Sequence, residues 1–244
     1  MLQQGLSDES LWAILPSIAA EDLPSLITYP TAKEQHLIKV LQRPDLPEQF
    51  LALVAHSKWA GTLRIQFCLV NHPHTPMAEA MNLTKFLFWR DLTLISQNFR
   101  LSSEVRHVAE SVLQQRLPAM AVGEKVTLAR MAGGQVLKML RLEKDATVVQ
   151  ALLDNPRLVE EDVLYLVSQQ RTPAPVLEAV ARDPRWSVRR EVRIALLRNA
   201  RTPLAAAITF ISNLNVAELR QLAGDLKVPL AIRKMIQTRL GKSP

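Results

Sequence analysis

Three times along this chain an apolar run ends in asparagine and passes into a turn containing proline: FCLVNHPHTP at 67–76, ALLDNP at 151–156 and ALLRNARTP at 195–203. Each copy has the form of one helix ending and the next beginning, so the phrase predicts a row of stacked helical hairpins. Fifteen prolines among 244 residues cut the chain into segments of roughly 8 to 16 residues, too short to stay helical alone in water. Each hairpin must then leave an apolar face that only its neighbour covers.

The faces are legible. Leu37, Val40 and Leu41, then Val105, Val108, Ala109, Val112 and Leu113, then Val176, Leu177, Val180 and Ala181 recur at helical spacing, and strand-like alternation is nearly absent. Thr75-Pro76, Thr172-Pro173 and Thr202-Pro203 predict a threonine N-cap with proline at the first helical position. Thr31 with Glu34, and Asp45 with Glu48, have capping-box spacing.

Sliding the chain on itself brings Trp59 onto Trp186, Thr75-Pro76 onto Thr202-Pro203, Leu92 onto Leu219, Arg106 onto Arg233 and Leu113 onto Leu240. Asn155 and Asn199 suggest a shorter step near 42 residues, within the range of HEAT and armadillo units. The expected fold is all-α: a right-handed α-α superhelix, a HEAT/armadillo-like solenoid of about five degenerate repeats. N-terminal capping helices are expected over 1–33 and the repeats over 34–240. Gly123, Gly133 and Gly134 loosen the middle of the chain, which reads as a bend near 118–134 or as an ordinary repeat with helices over 124–131 and 134–142; the second reading is preferred.

DPRWSVRREVRIALLRNARTPLAAAI, 183–208, resembles HEAT-like repeats and, more closely, the bacterial leucine-rich repeat variant. The matching positions are Asp183, Pro184, Val188, Arg189, Asn199, Thr202 and Pro203, with Ala200 where a second proline is expected; Asn155-Pro156 supplies part of the pattern again. The resemblance covers 34–240 in degenerate form and is sharp over about 150–215. It implies a helical-repeat architecture and no reaction. The original leucine-rich repeat variant protein also carries a cysteine-bound iron–sulfur module, for which this chain, with Cys68 alone, has no ligands.

That single cysteine excludes an intramolecular disulfide and a multi-cysteine zinc site, and it fits a reducing compartment. The N-terminus lacks the pattern of a signal peptide, and no run of about 18 apolar residues occurs, so a cytoplasmic protein without a membrane span is expected. A net charge of +7 favours an anionic partner.

The strongest charged feature is RDPRWSVRREVRIALLRNAR, 182–201. Arg182, Arg185, Arg189 and Arg193 fall at helical steps, so Arg185, Trp186, Arg189, Arg190 and Arg193 form a candidate anion or nucleic-acid contact. The competing reading makes Asp183 and Arg189 structural and Trp186 a core repeat position. Lys125, Arg130, Lys138, Arg141 and Lys144 form a second, mixed group. Cys68, His72 and His74 have the only metal-like spacing but lack a fourth ligand, and Glu160, Glu161 and Asp162 suit the first turn of a helix. No nucleophile elbow, zinc-protease motif or phosphate loop occurs.

These features point to a non-catalytic scaffold that binds a protein partner through its concave face, with no metal or cofactor. The alternative is a nucleic-acid-binding solenoid using the arginine-rich face. Its sharper form, a DNA repair glycosylase-like protein, rests on architecture, charge and four tryptophans, Trp12, Trp59, Trp89 and Trp186.

Overall fold

The computed structural model describes residues 6–241; the first five residues of the expected N-terminal cap lie outside the described residues. Among those described, every regular element is a helix, and the chain divides between Pro118 and Ala119 into two compact units. The first holds α1 (Asp8–Ile14), α2 (Leu23–Thr28), α3 (Glu34–Leu41), α4 (Glu48–Ala55), α5 (Leu63–Asn71), α6 (Met77–Thr84), α7 (Trp89–Ser96) and α8 (Ser103–Arg116). The second holds α9 (Val122–Met131), α10 (Gly134–Leu140), α11 (Ala146–Leu153), α12 (Glu160–Ser168), α13 (Ala174–Arg182), α14 (Arg190–Arg198), α15 (Leu204–Ser212), α16 (Val216–Gly224) and α17 (Leu230–Gly241). Gly133 and Gly134 make the turn from α9 to α10. There Gly134 takes φ +50°, a left-handed conformation that favours glycine.

With 6 to 14 residues apiece, these helices draw little stability from backbone bonds alone, and packing supplies the rest. In the first unit α3 packs on α5, α4 on α6 and α6 on α8; in the second, α9 packs on α11, α11 on α13, α12 on α14 and α13 on α15. Contact therefore runs between consecutive and next-but-one helices. Leu37, Val40, Val176, Leu177, Val180, Val192, Leu196 and Leu197 are fully buried along these seams.

The layer step is shorter than the expected 42 residues: α11, α13 and α15 begin at 146, 174 and 204. Asn155 and Asn199 misled the spacing because they do not occupy equivalent places. Asn155 follows an odd-numbered helix and Asn199 an even-numbered one, so the interval between them covers more than one layer.

A second bond system ties the layers together. Side-chain donors on the turns reach back to backbone carbonyls at the turns and helix ends of the preceding layer, across 23 to 33 residues of sequence. Asn155 Nδ2 donates to Ala129 O (2.7 Å) and Ala132 O (3.0 Å), and Asn199 Nδ2 to Val167 O (2.7 Å) and Gln169 O (3.1 Å). Both asparagines also accept from the N–H two residues on, Arg157 and Arg201. Arg43 donates to Ile18 O (2.9 Å), Arg116 to Leu87 O and Lys85 O (2.6 Å each), and Arg157 to Met131 O (3.3 Å). The last carbonyls of a helix have no intrahelical donor, and these bonds supply one.

The threonines behave differently from expectation. Pro76, Pro173 and Pro203 themselves occupy the N-cap positions. The hydroxyls turn backward: Thr75 donates to Leu69 O (2.6 Å), Thr172 to Leu166 O (2.7 Å) and Thr202 to Leu196 O (2.5 Å). Each threonine thus closes the helix before it. The two expected capping boxes are also absent, since α3 is preceded by Lys33 and α4 by Pro47, while Asp45 pairs with Arg43 at 2.8 Å.

Asn199 is buried with all its hydrogen-bonding groups engaged, so Asn199→Ala strands two carbonyls and one N–H. Urea unfolding is expected to show a loss of about 2–3 kcal/mol, and Thr202→Val a loss of about 1–2 kcal/mol. A change below about 0.5 kcal/mol in both would show that the layers hold without these bonds.

Candidate partner-binding face

The arginine-rich segment is two helices joined by a turn, where a single helical face was expected. α13 ends at Arg182, residues 183–189 form the turn, and α14 starts at Arg190. Asp183 organises that turn, its Oδ1 accepting from Arg185 N (2.9 Å) and Trp186 N (3.1 Å). Arg185 is thereby folded back onto the previous layer. It donates to Asn155 O (3.2 Å) and Leu158 O (3.0 Å) with its guanidinium 4.3 Å from the Trp186 ring centroid. Trp186 is only 2% exposed, and its Nε1 donates to Leu153 O at 3.3 Å.

The remaining three stand at the start of α14. Arg189 lies 3.8 Å from Glu160, and Arg190 bonds Glu218 (3.0 Å) and Glu191 (2.7 Å). The Nε of Arg193 is buried without an acceptor. Bonds from the Asn215 N–H and from Arg190 hold the Glu218 carboxyl below the usual range, with Arg193 adding to them. The structure thus brings the five residues onto one turn and the first turn of one helix, and four of them already have internal partners.

Two of the five residues of the second basic group are engaged, Lys125 on Glu143 at 3.0 Å and Arg141 on Asp162 at 3.2 Å, its guanidinium 4.2 Å from the Tyr165 ring centroid. Glu160, Glu161 and Asp162 form the first turn of α12, where Asp162 accepts from Val159 N at 3.4 Å.

In the first unit, Trp59 repeats the bond of Trp186, donating from Nε1 to Ile27 O at 2.9 Å. His72, which falls on Asn199 when Trp59 falls on Trp186, repeats the asparagine clamp. Its Nδ1 accepts from His74 N (3.2 Å), so Nε2 carries the proton and donates to Arg43 O (2.7 Å). His74 Nδ1 lies 3.1 Å from Leu46 O. These bonds use both imidazole nitrogens of His72 and the Nδ1 of His74, and no cluster of three or more His, Cys, Asp or Glu suited to a metal occurs among the described residues. Burial pushes the half-buried Cys68 thiol upward in pKa.

In the second unit α15, LAAAITFIS, is a helix without a single charged residue. Leu204 and Ile208 lie one turn apart on it and are 55% and 47% exposed. Beside them a groove of about 230 Å³ runs between α13 and α15, lined by Ala181, Ala205, Ala206, Thr209 and Phe210 and bordered by the Glu178–Arg182 pair. The absence of charge over 204–212 was visible in the sequence. Only the structure shows which of its apolar residues face outward. No helix among the described residues is long and apolar enough to cross a membrane.

No protein-family model matches the chain, and no curated protein or solved structure is similar to it at a significant level. The reading of function therefore rests on the residues themselves.

Burial lowers the pKa of His72 below its ordinary 6.5, with His74 acting in the same direction and the Arg43 carbonyl and Asp45 opposing. His36, buried in the same unit and accepting from Lys33 N, is lowered chiefly by burial too. Stability from neutral His72 is thus full above about pH 6.5 and is lost as pH falls through the depressed folded value. His72→Asn keeps both a donor and an acceptor but cannot titrate. The variant is expected to lose less stability than the wild type between pH 7 and pH 5 in chemical unfolding; identical pH profiles would remove His72 as a titrating clamp.

Proposed function

We propose that this chain is a non-catalytic helical-repeat scaffold that binds a protein partner. In this reading each unit is a length of right-handed α-α superhelix of the HEAT-like or leucine-rich repeat variant kind, in a cytoplasmic protein. The partner docks on the concave face built from the second helices of the hairpins, α13 of the pair α12–α13 and α15 of the pair α14–α15.

The observation that carries the reading is the uncharged, outward-facing stripe of α15 beside the α13–α15 groove. Exposed aliphatic side chains on an otherwise well-packed helix gain free energy only when an apolar surface covers them. A charge-poor groove of this kind suits a protein surface and has no use for phosphate. Of the residues that would favour nucleic acid, Trp186 is buried and Arg185 bonds backbone carbonyls, while Arg189 and Arg190, at the surface, already face carboxylates.

The test is capture from the native cell with the tagged chain, before and after nuclease treatment. A protein partner is expected in stoichiometric amount, resistant to nuclease, and lost on Ile208→Glu. Ile208 is exposed, so that substitution should shift unfolding stability by less than about 0.5 kcal/mol. Recovery of nucleic acid alone, or of the same protein by Ile208→Glu in undiminished yield, would count against the proposed face.

A further inference from the structure

The basic residues that follow the clamping turns fall into two sets. At the turns after α11 and α13, Arg157 and Arg185 use their guanidinium groups on backbone carbonyls of the preceding layer. At the turns after α12, α14 and α16 the corresponding side chains, Arg171, Arg201 and Lys227, make no hydrogen bond, ion pair or ring contact, and all three are exposed. Their turns are neighbours: Asn199 Nδ2 bonds Gln169 O at 3.1 Å, and Arg198 bonds Asp225 at 2.8 Å. A cavity of about 470 Å³ opens among them, lined by Ser168, Gln170, Arg198, Asn199 and Lys227. Lys227 places positive charge at its wall, where Arg198 is paired with Asp225, and the Ser168 hydroxyl and Gln170 amide add polar groups that can hydrogen-bond an anion.

The same turns carry unburied aliphatic residues. Leu226 precedes Lys227 and is 83% exposed, while Leu204 and Leu230 begin the helices that leave the turns and are also exposed. Cations interleaved with leucines form a mixed surface.

We propose that this edge of the second unit is a docking ledge for an acidic segment of a protein partner, one in which carboxylates alternate with apolar side chains. The carboxylates meet Arg171, Arg201 and Lys227, and the apolar groups cover Leu204, Leu226 and Leu230. The proposal rests on the protein-binding reading above and specifies the partner's chemistry.

Two observations favour a protein segment over nucleic acid. Phosphate has no use for exposed leucines. Single-stranded nucleic acid is held by aromatic platforms, and here the exposed rings Phe86, Phe88 and Phe99 lie in the first unit, while the exposed Tyr165 of the second already has the Arg141 guanidinium 4.2 Å from its ring centroid.

The probe is a fluorescent peptide of repeated Glu-Glu-Leu, compared with Gln-Gln-Leu and a thymidine oligonucleotide at low and moderate salt. The glutamate peptide is expected to bind the full chain, the glutamine peptide is not, and added salt is expected to weaken the complex. Arg171→Ala, Arg201→Ala and Lys227→Ala together should reduce affinity by about tenfold or more. An equal charge change in the first unit, Lys39→Ala, Arg64→Ala and Arg100→Ala, should leave it within about twofold. Lys227→Glu alone should weaken binding in the same direction, which provides a reading should the triple variant not fold. Absence of peptide binding, equal loss in the first-unit control, or preference for the oligonucleotide would each overturn the ledge. In the capture experiment, a partner retained by the triple variant overturns the ledge and leaves the scaffold standing. A wild-type chain that captures no protein overturns the scaffold itself, and the ledge is then decided by the peptide.

Discussion

Everything in this structure depends on giving the free carbonyls at the ends of very short helices a hydrogen-bond donor. A helix of eight or nine residues leaves up to four carbonyls without an intrahelical donor, about half of its total. Water could satisfy them, but the turns are packed against one another. The chain supplies donors from the next layer: the amides of Asn155 and Asn199, the imidazole of His72, the indoles of Trp59 and Trp186, and the guanidinium groups of Arg43, Arg116, Arg157 and Arg185. Threonine closes the remaining gap within each hairpin, from Thr75, Thr172 and Thr202. Apolar burial presses the layers together, and these directional bonds select the register in which they meet.

This accounts for part of the basic character of the chain. Arginine suits the task because its planar fork spans two acceptors at once and its charge complements the negative end of a helix. Arg116 and Arg185 each use two guanidinium nitrogens on two different carbonyls. A surplus of seven positive charges is thus partly an inventory of helix-end donors. Only where such a residue has no carbonyl or carboxylate to meet, as at Arg171 and Arg201, does its charge face outward unopposed.

The helical class, most of the turns and the correspondence of Trp59 with Trp186 were legible in the sequence because they follow from local periodicity and identity. The layer step was not, because Asn155 and Asn199 look alike in sequence while standing after helices of different parity. The direction of the Thr-Pro hydroxyl was equally hidden. A threonine before proline has the spacing to cap the following helix, and nothing in the dipeptide reveals the carbonyl six residues behind it. The roles of Arg185 and Arg157 were hidden for a related reason: their acceptors are backbone atoms some thirty positions away, and main-chain acceptors leave no trace in residue identity. His72 falls on Asn199 in the same alignment that matches Thr75 with Thr202, but the asparagine of the repeated phrase is its neighbour Asn71, which bonds Phe67 O and Asn98 instead.

Since the backbone clamps reach back by no more than about one layer, the chain has no long-distance bookkeeping to preserve. A gene segment coding for one layer can be copied or deleted, and the new junction closes as soon as its turn brings a donor to the exposed carbonyls behind it. The likeness between residues 59–113 and 186–240 is of the kind such copying would leave, with asparagine in one stretch and histidine in the other each joining the preceding layer to the N–H two residues on.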